Sequence, residues 1–171
     1  RKHLLHIVYG WEKTARRFKM DKDLTILHLL EKDATLSADQ LAVMLSKEVG
    51  DIKKAIELYE QDGVILGYKT VINWNKVGID EVIAIIEVKL TPKRDARFDA
   101  TADRICRFPE VDSVYLTSGG FDLAIVVHGK TMLDIGNFVA RRLSPIEGVT
   151  STATHFIMHK YKDNGIIYDK Q

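Results

Sequence analysis

Apolar positions recur along this chain with two different periods, and the change of period divides it. Between Asp21 and Asp33, Leu24, Leu27 and Leu30 fall on one side of a helix whose start is acidic. Thr35-Leu36-Ser37 interrupts it. Ser37-Ala-Asp-Gln40 then reads as a capping box: the Ser37 hydroxyl accepts from the amide of residue 40, and the Gln40 side chain reaches back. A second helix follows through Leu41 and Leu45 and ends near Ser46-Lys47. A third runs over Val49–Asp62 and buries Ile52, Ile56 and Tyr59. Gly63 stops it, as a residue past a helix end that takes positive φ. Val64–Ile72 reads as a short β wing. Three short helices with tight turns and then a wing predict a winged helix-turn-helix over residues 20–72. The same spacing also fits a three-helix bundle with no nucleic-acid role.

Residues 73–80, beginning Asn73-Trp74-Asn75-Lys76-Val77-Gly78, read as a linker, and beyond them strands alternate with helices. Glu81–Thr91 is a strand bounded by Pro92, and Asp95–Phe108 a helix with Phe98, Ala102 and Ile105 on one face. Val111–Ser118 and Phe121–His128 are strands separated by Gly119-Gly120, a pair suited to a hairpin turn with positive φ at both positions. Lys130–Ser144 is a helix carrying Met132, Ile135, Val139 and Leu143, and Val149–Tyr161 a final strand. The order β-α-β-β-α-β over residues 81–171 is ferredoxin-like, so the expected class is α+β.

The net charge of +1 hides an asymmetry. Residues 1–19 carry 6 basic side chains against 1 acidic, a net +5; residues 20–73 carry 6 against 10, a net −4; residues 74–171 are balanced. Residues 1–19 are read as an extension ahead of a natural start at Met20; a helical arm and a basic tail touching phosphates are the alternatives. The single cysteine, Cys106, excludes an internal disulfide and fits a reducing cytosol; it is expected to pack in the first helix of the second domain. Apolar runs such as Val82–Val88 and Leu123–Val127 are too short to span a bilayer, so a cytoplasmic protein is expected.

From Met20 onward the chain resembles the Lrp/AsnC, or feast/famine, family of transcriptional regulators. The stretches that carry the resemblance are Leu27–Asp33, Glu60–Tyr68, Ser118-Gly-Gly-Phe-Asp122 and Gly148–Thr154. It implies double-stranded DNA as a partner, a homodimer often assembled into octamers, and a ferredoxin-like (RAM/ACT-like) domain that binds amino acids or similar metabolites near dimer–dimer contacts. No cofactor and no membrane partner are expected.

For DNA, Ser46 and Lys47 in the turn, Lys53 and Lys54 on the third helix and Lys69 on the wing are the candidates, because cations neutralise phosphates beside a groove-reading helix. Lys53 and Lys54 also read as solvated surface lysines. The family usually puts arginines around the positions of Ala55, Glu57 and Leu58, and this chain departs from that. A head of charge −4 leaves two readings: an oligomer that adds several weak heads together, or a sensing and assembly protein that has lost DNA binding.

For the effector, the resemblance points to Leu116, Ser118, Gly119, Gly120, Asp122, Thr152 and Thr154. Glycine amides receive a carboxylate at close approach, Asp122 an α-ammonium, and the threonines supply hydroxyls. Asp122 also reads as a surface ion pair or a turn cap. His155 and His159 on a strand stand about 13 Å apart, too far for one ion, so no metal is expected. Ser-Gly-Gly lacks a nucleophile elbow, no Gly-Lys-Ser/Thr follows the glycines, and Asp122 has no paired acid; an enzyme is not expected.

Overall fold

The computed structural model describes residues 24–91 and 99–168. The stretch 1–19, the acidic helix start at Asp21 and Asp23, Pro92 and the expected helix start at Asp95–Phe98 lie outside the described residues. The chain divides into two compact units between Thr70 and Val71.

In the first unit, α1 spans Leu24–Lys32, α2 Ala38–Leu45 and α3 Val49–Gln61. The capping box at α2 is complete: Gln40 N donates to Ser37 Oγ at 3.2 Å and Ser37 N donates to Gln40 Oε1 at 2.8 Å. Gly63 takes φ +65° after α3, as its place past the helix end requires. Ile26, Leu30, Leu41, Ala42, Ile52 and Tyr59 form the core. The stripe on α1 is therefore Ile26 and Leu30, four apart; Leu24, expected on that stripe, is 60% exposed, because a three-residue step drifts off the buried face while a four-residue step holds it. The segment after Gly63 forms no strand. Val64 N and Ile65 N both donate to Tyr59 O, at 2.8 and 3.0 Å, which folds the segment back onto the end of α3, and no neighbouring described strand offers it a ladder.

In the second unit, β1 (Val82–Leu90), α4 (Asp99–Ile105), β2 (Val111–Leu116), β3 (Leu123–Gly129), α5 (Met132–Phe138) and β4 (Val149–Phe156) follow the expected order. The sheet is antiparallel in the order β2-β3-β1-β4, the ferredoxin-like arrangement. Alternation along β1 and β3 sends Ala84, Ile86, Val88, Leu123, Ile125 and Val127 into the core, where Ile105, Ile135, Phe138 and Leu143 cover them from the helix side. Residues of the other parity lie on the opposite face, among them Ile85, Val126, Tyr115 and His155, paired Ile85 to Val126 and to His155 across the strands.

Several boundaries differ from the sequence reading. The last helix is α only to Phe138 and opens into a π turn over Val139–Leu143. β4 ends at Phe156 rather than Tyr161; the chain then makes a small hairpin, β5 (Lys162–Asp163) with β6 (Ile166–Ile167). Asn164 (φ 47°) and Gly165 (φ 79°) form its turn, the left-handed pair that two-residue hairpins favour. Cys106 follows α4 with its side chain exposed, not packed as expected.

Candidate functional site

Two places in the fold hold most of the residues singled out from the sequence. The first is the turn between α2 and α3. Ser46 takes a left-handed conformation (φ 54°, ψ 46°), and Lys47 N donates to Ala42 O at 3.0 Å, so the chain reverses tightly and launches α3. Ile52 is fully buried and fixes the rotation of α3, which leaves Lys53 and Lys54 exposed on its early turns. Ser46, Lys47, Lys53 and Lys54 thus follow one another along the turn and the start of the helix. Lys69 stands apart: Tyr68 Oη donates to Glu60 Oε1 at 2.9 Å, tying its segment to α3 about 10 Å further along the axis. Burial and the Glu60 carboxylate push the Tyr68 phenol above its ordinary pKa. Asp51, Glu57 and Leu58 are exposed on the same helix, so its outer side is mixed in charge.

The second place is the loop between β2 and β3. It runs from Thr117 to Asp122 and is closed from within: Thr117 N donates to Asp122 O at 2.9 Å and Thr117 Oγ1 to Phe121 O at 2.7 Å. Neither Gly119 nor Gly120 takes a positive φ, so the tight two-glycine hairpin expected from the sequence is not formed; the bonds from Thr117 make a wider loop instead. A Cβ built on either glycine meets nothing within 4 Å. Backbone conformation and packing therefore leave these two positions indifferent to side chain, while Ser118, Gly119 and Gly120 present an exposed, uncovered backbone.

Asp122 has a structural task. Its amide donates to Val88 O at 2.9 Å, and its Oδ2 accepts from Leu90 N at 2.7 Å. Leu90 lies where the register between β1 and β4 shifts, and the carboxylate satisfies an amide that the irregular ladder leaves over. Leu116, 57% exposed, ends β2 beside this loop. Thr152 and Thr154 do not join it. They sit on β4 opposite Val88 and Ile86, so β1 stands between them and β3, a separation of about 10 Å. Sequence reasoning missed Thr117; a hydroxyl residue entering a glycine loop is the signal that finds it.

Several other titratable groups form small surface contacts. His155 Nε2 lies 3.4 Å from Glu87 Oε1 on the helix-free face, and His128 Nδ1 lies 3.1 Å from Asp112 Oδ2. Asp33 is held below its ordinary pKa first by the Thr35 hydroxyl (2.6 Å) and then by the Thr35 amide (2.9 Å). Among the described residues no group of three or more His, Cys, Asp and Glu is placed to hold a metal, and no helix is long and apolar enough to cross a membrane.

This architecture has relatives. The Lrp/AsnC ligand binding domain matches residues 83–167. The HTH-type transcriptional regulator YugG of Bacillus subtilis is 42% identical over 150 residues, covering 87% of this chain and 90% of that protein. The leucine response regulatory protein LrpA of Mycobacterium tuberculosis has a similar structure, with a TM-score of 0.72 at 20% identity over 84% of this chain and 95% of that one. So does the transcriptional regulator NMB0573 of Neisseria meningitidis, solved as an L-Met complex, with a TM-score of 0.67 at 23% identity over 85% and 94% of the two chains.

Proposed function

The chain belongs to the Lrp/AsnC family of transcriptional regulators, and from that membership we propose how its two units divide the work. It is a DNA-binding regulator and not an enzyme. Residues 20–72 form the reading head, 73–80 the linker and 81–171 the sensing and assembly domain. Ser46, Lys47, Lys53, Lys54 and Lys69 meet double-stranded DNA in the cytoplasm. The helix-free sheet faces of two copies pair into a homodimer, and dimers assemble further to an octamer. An amino acid is received at Leu116, Ser118, Gly119, Gly120 and Asp122, with Thr152 and Thr154 contributed by another copy, because β1 separates them from the loop within one chain.

The observation that carries the effector reading is the glycine pair. With ordinary φ and empty space where a Cβ would stand, Gly119 and Gly120 gain nothing from being glycine in the isolated chain, whereas a ligand carboxylate resting on their amides requires them bare. The Neisseria relative was solved with L-Met, so L-methionine is the first probe. Titrating it while following sedimentation and DNA anisotropy is expected to shift one or both, and Gly120→Val to abolish the shift. A flat response across the common amino acids refutes the reading.

A second reading, a sensing and assembly protein without DNA binding, is favoured by the charge of −4 on residues 20–73. A salt series separates the two. A binder loses affinity steeply as salt rises, and Lys53→Ala lowers the log–log slope by about one. Absence of binding at low salt, with and without amino acids, establishes the second reading.

A further inference from the structure

The exposed residues of α3 are not equivalent once they are placed by angle. At about 100° per residue, Ile52, Ile56 and Tyr59 fall on one line, turned toward the core of the head. Gly50, Lys54, Glu57 and Gln61 recur at steps of four, three and four on the opposite line, and all are exposed. Lys53 lies about a quarter turn to one side of that outermost line, Asp51 and Leu58 to the other. A helix in the major groove, which is about 12 Å wide, turns its outermost line to the base edges and its flanks to the two phosphate rows. Lys53 is therefore placed for a phosphate, whereas Lys54 and Glu57 are placed for bases. Neither Lys54 nor Glu57 is held in an ion pair among the described residues.

Gly50 fits the same placement. It stands in the first turn of α3 without a positive φ, and a Cβ built on it meets nothing within 4 Å. Alanine suits a helix better, so nothing within the head calls for glycine there. A bare position on the outermost line lets the first turn approach a duplex closely, which brings Lys54 and Glu57, one and two turns further on, to the base edges. Glu57 is the unexpected member of the line. Between two rows of phosphates a carboxylate is repelled unless it finds a hydrogen-bond donor. It accepts and cannot donate. The major groove offers it two donors, cytosine N4 and adenine N6. Adenine N6 stands beside N7, an acceptor that repels a carboxylate, and cytosine carries no acceptor on that edge.

We propose that Glu57 determines sequence specificity by selecting cytosine, and that Lys54 selects guanine on the same base pair or the adjacent one. The inference rests on the reading of α3 as the helix that meets DNA. Three residues advance about 4.5 Å along a helix, a little more than one base step of about 3.4 Å, so the two side chains address one base pair or two neighbours. Lys54 donates to guanine O6 and N7 while Glu57 accepts from cytosine N4. At any other sequence Glu57 meets acceptors and phosphates, and the same charge that holds the right site rejects the wrong ones.

The test is selection of the full chain, at low salt and with and without L-methionine, on a library of random duplexes, followed by anisotropy on the enriched site and its single-base variants. The parent is expected to enrich a site with a cytosine that any other base weakens about tenfold. Glu57→Gln, of the same size and at an exposed position, is expected to turn that cytosine preference into adenine, because glutamine accepts from N6 and donates to N7. Glu57→Ala is expected to lose preference at that position alone and to bind unselected DNA more tightly than the parent. Lys54→Ala is expected to lose guanine at the same or the neighbouring pair. Enriched sites with the same base preferences in the parent and in Glu57→Gln overturn the proposal and leave DNA binding standing. So does a uniform loss of affinity across all sequences in Glu57→Ala. No enrichment and no binding at low salt, with or without L-methionine, overturns DNA binding itself and this proposal with it.

Discussion

Asp122 serves two purposes in the proposed function, and two substitutions separate them. In the structure its Oδ2 accepts from Leu90 N at 2.7 Å, from a half-buried position. Asp122→Ala leaves that amide without a partner beside the β1 irregularity, and half-burial places the loss at about 1–2 kcal/mol, below the full value for a buried charged acceptor. For a domain of this size that corresponds to a fall in Tm of about 5–10 °C. Asp122→Asn keeps an acceptor oxygen in the same place and removes only the charge, so its Tm should stay within about 2 °C of the parent. Effector binding should respond differently: if the carboxylate receives the ammonium, both variants lose about tenfold or more in L-methionine affinity. The assay is calorimetric unfolding of the full chain at matched protein concentration, because assembly makes Tm concentration-dependent, alongside isothermal titration. An Asn variant destabilised as much as the Ala variant would refute the acceptor reasoning. An Asn variant binding L-methionine normally would remove Asp122 from the effector site and leave it a structural residue.

Three further outcomes follow from named contacts. Ser37→Ala removes the acceptor for Gln40 N and should cost about 1 kcal/mol in head stability by chemical denaturation; an unchanged midpoint argues against the cap. Thr35→Val removes the larger cause of the lowered Asp33 pKa, so the Asp33 carboxyl, followed by NMR, should titrate at higher pH. A lowered folded pKa stabilises above the unfolded value and is lost as pH falls through the folded one, so the parent's advantage over this variant should begin to shrink near pH 4 and disappear only below the lowered Asp33 pKa, and an unmoved titration sinks the assignment. Ile85→Asp puts a charge on the helix-free face between Val126 and His155; sedimentation should show it monomeric, and an intact dimer places the interface elsewhere.

How much was legible depended on whether the signal was local. The capping box at Ser37 and the stop at Gly63 each rest on residues within four of one another, and both formed as read. The βαββαβ order was legible because each element carries its own period. The glycine hairpin failed because the competing interactions come from Thr117, just outside the pair, and from Val88 and Leu90 on a strand distant in sequence. The same distance hid the structural role of Asp122. The wing strand failed because a strand is defined by its partner and not by its own residues. Asn164-Gly165 was a local hairpin signal that went unused because the apolar run from Val149 was read as one long strand. The π turn over Val139–Leu143 was not legible either, because it has no signature in the pattern of side chains.

The charge of the head decides how such a protein can regulate. With −4 over residues 20–73 and only Lys53 and Lys54 as exposed cations on α3, one head neutralises few phosphates. Suppose a single head binds at about 10 μM. A second head tethered near the same duplex meets its half-site at an effective concentration of about 1 mM, which tightens the pair about a hundredfold with no new contact. Nearly all useful affinity then resides in the simultaneous engagement of heads, and so in the geometry of assembly. An effector in the sensing domain has no need to touch the head. It must only bind one arrangement of copies better than another, and the difference in those affinities is the whole of the coupling available to it. A more basic head would bind alone and weaken that control, so under the proposed assembly an acidic head is what would make the regulator answer to the arrangement of its copies.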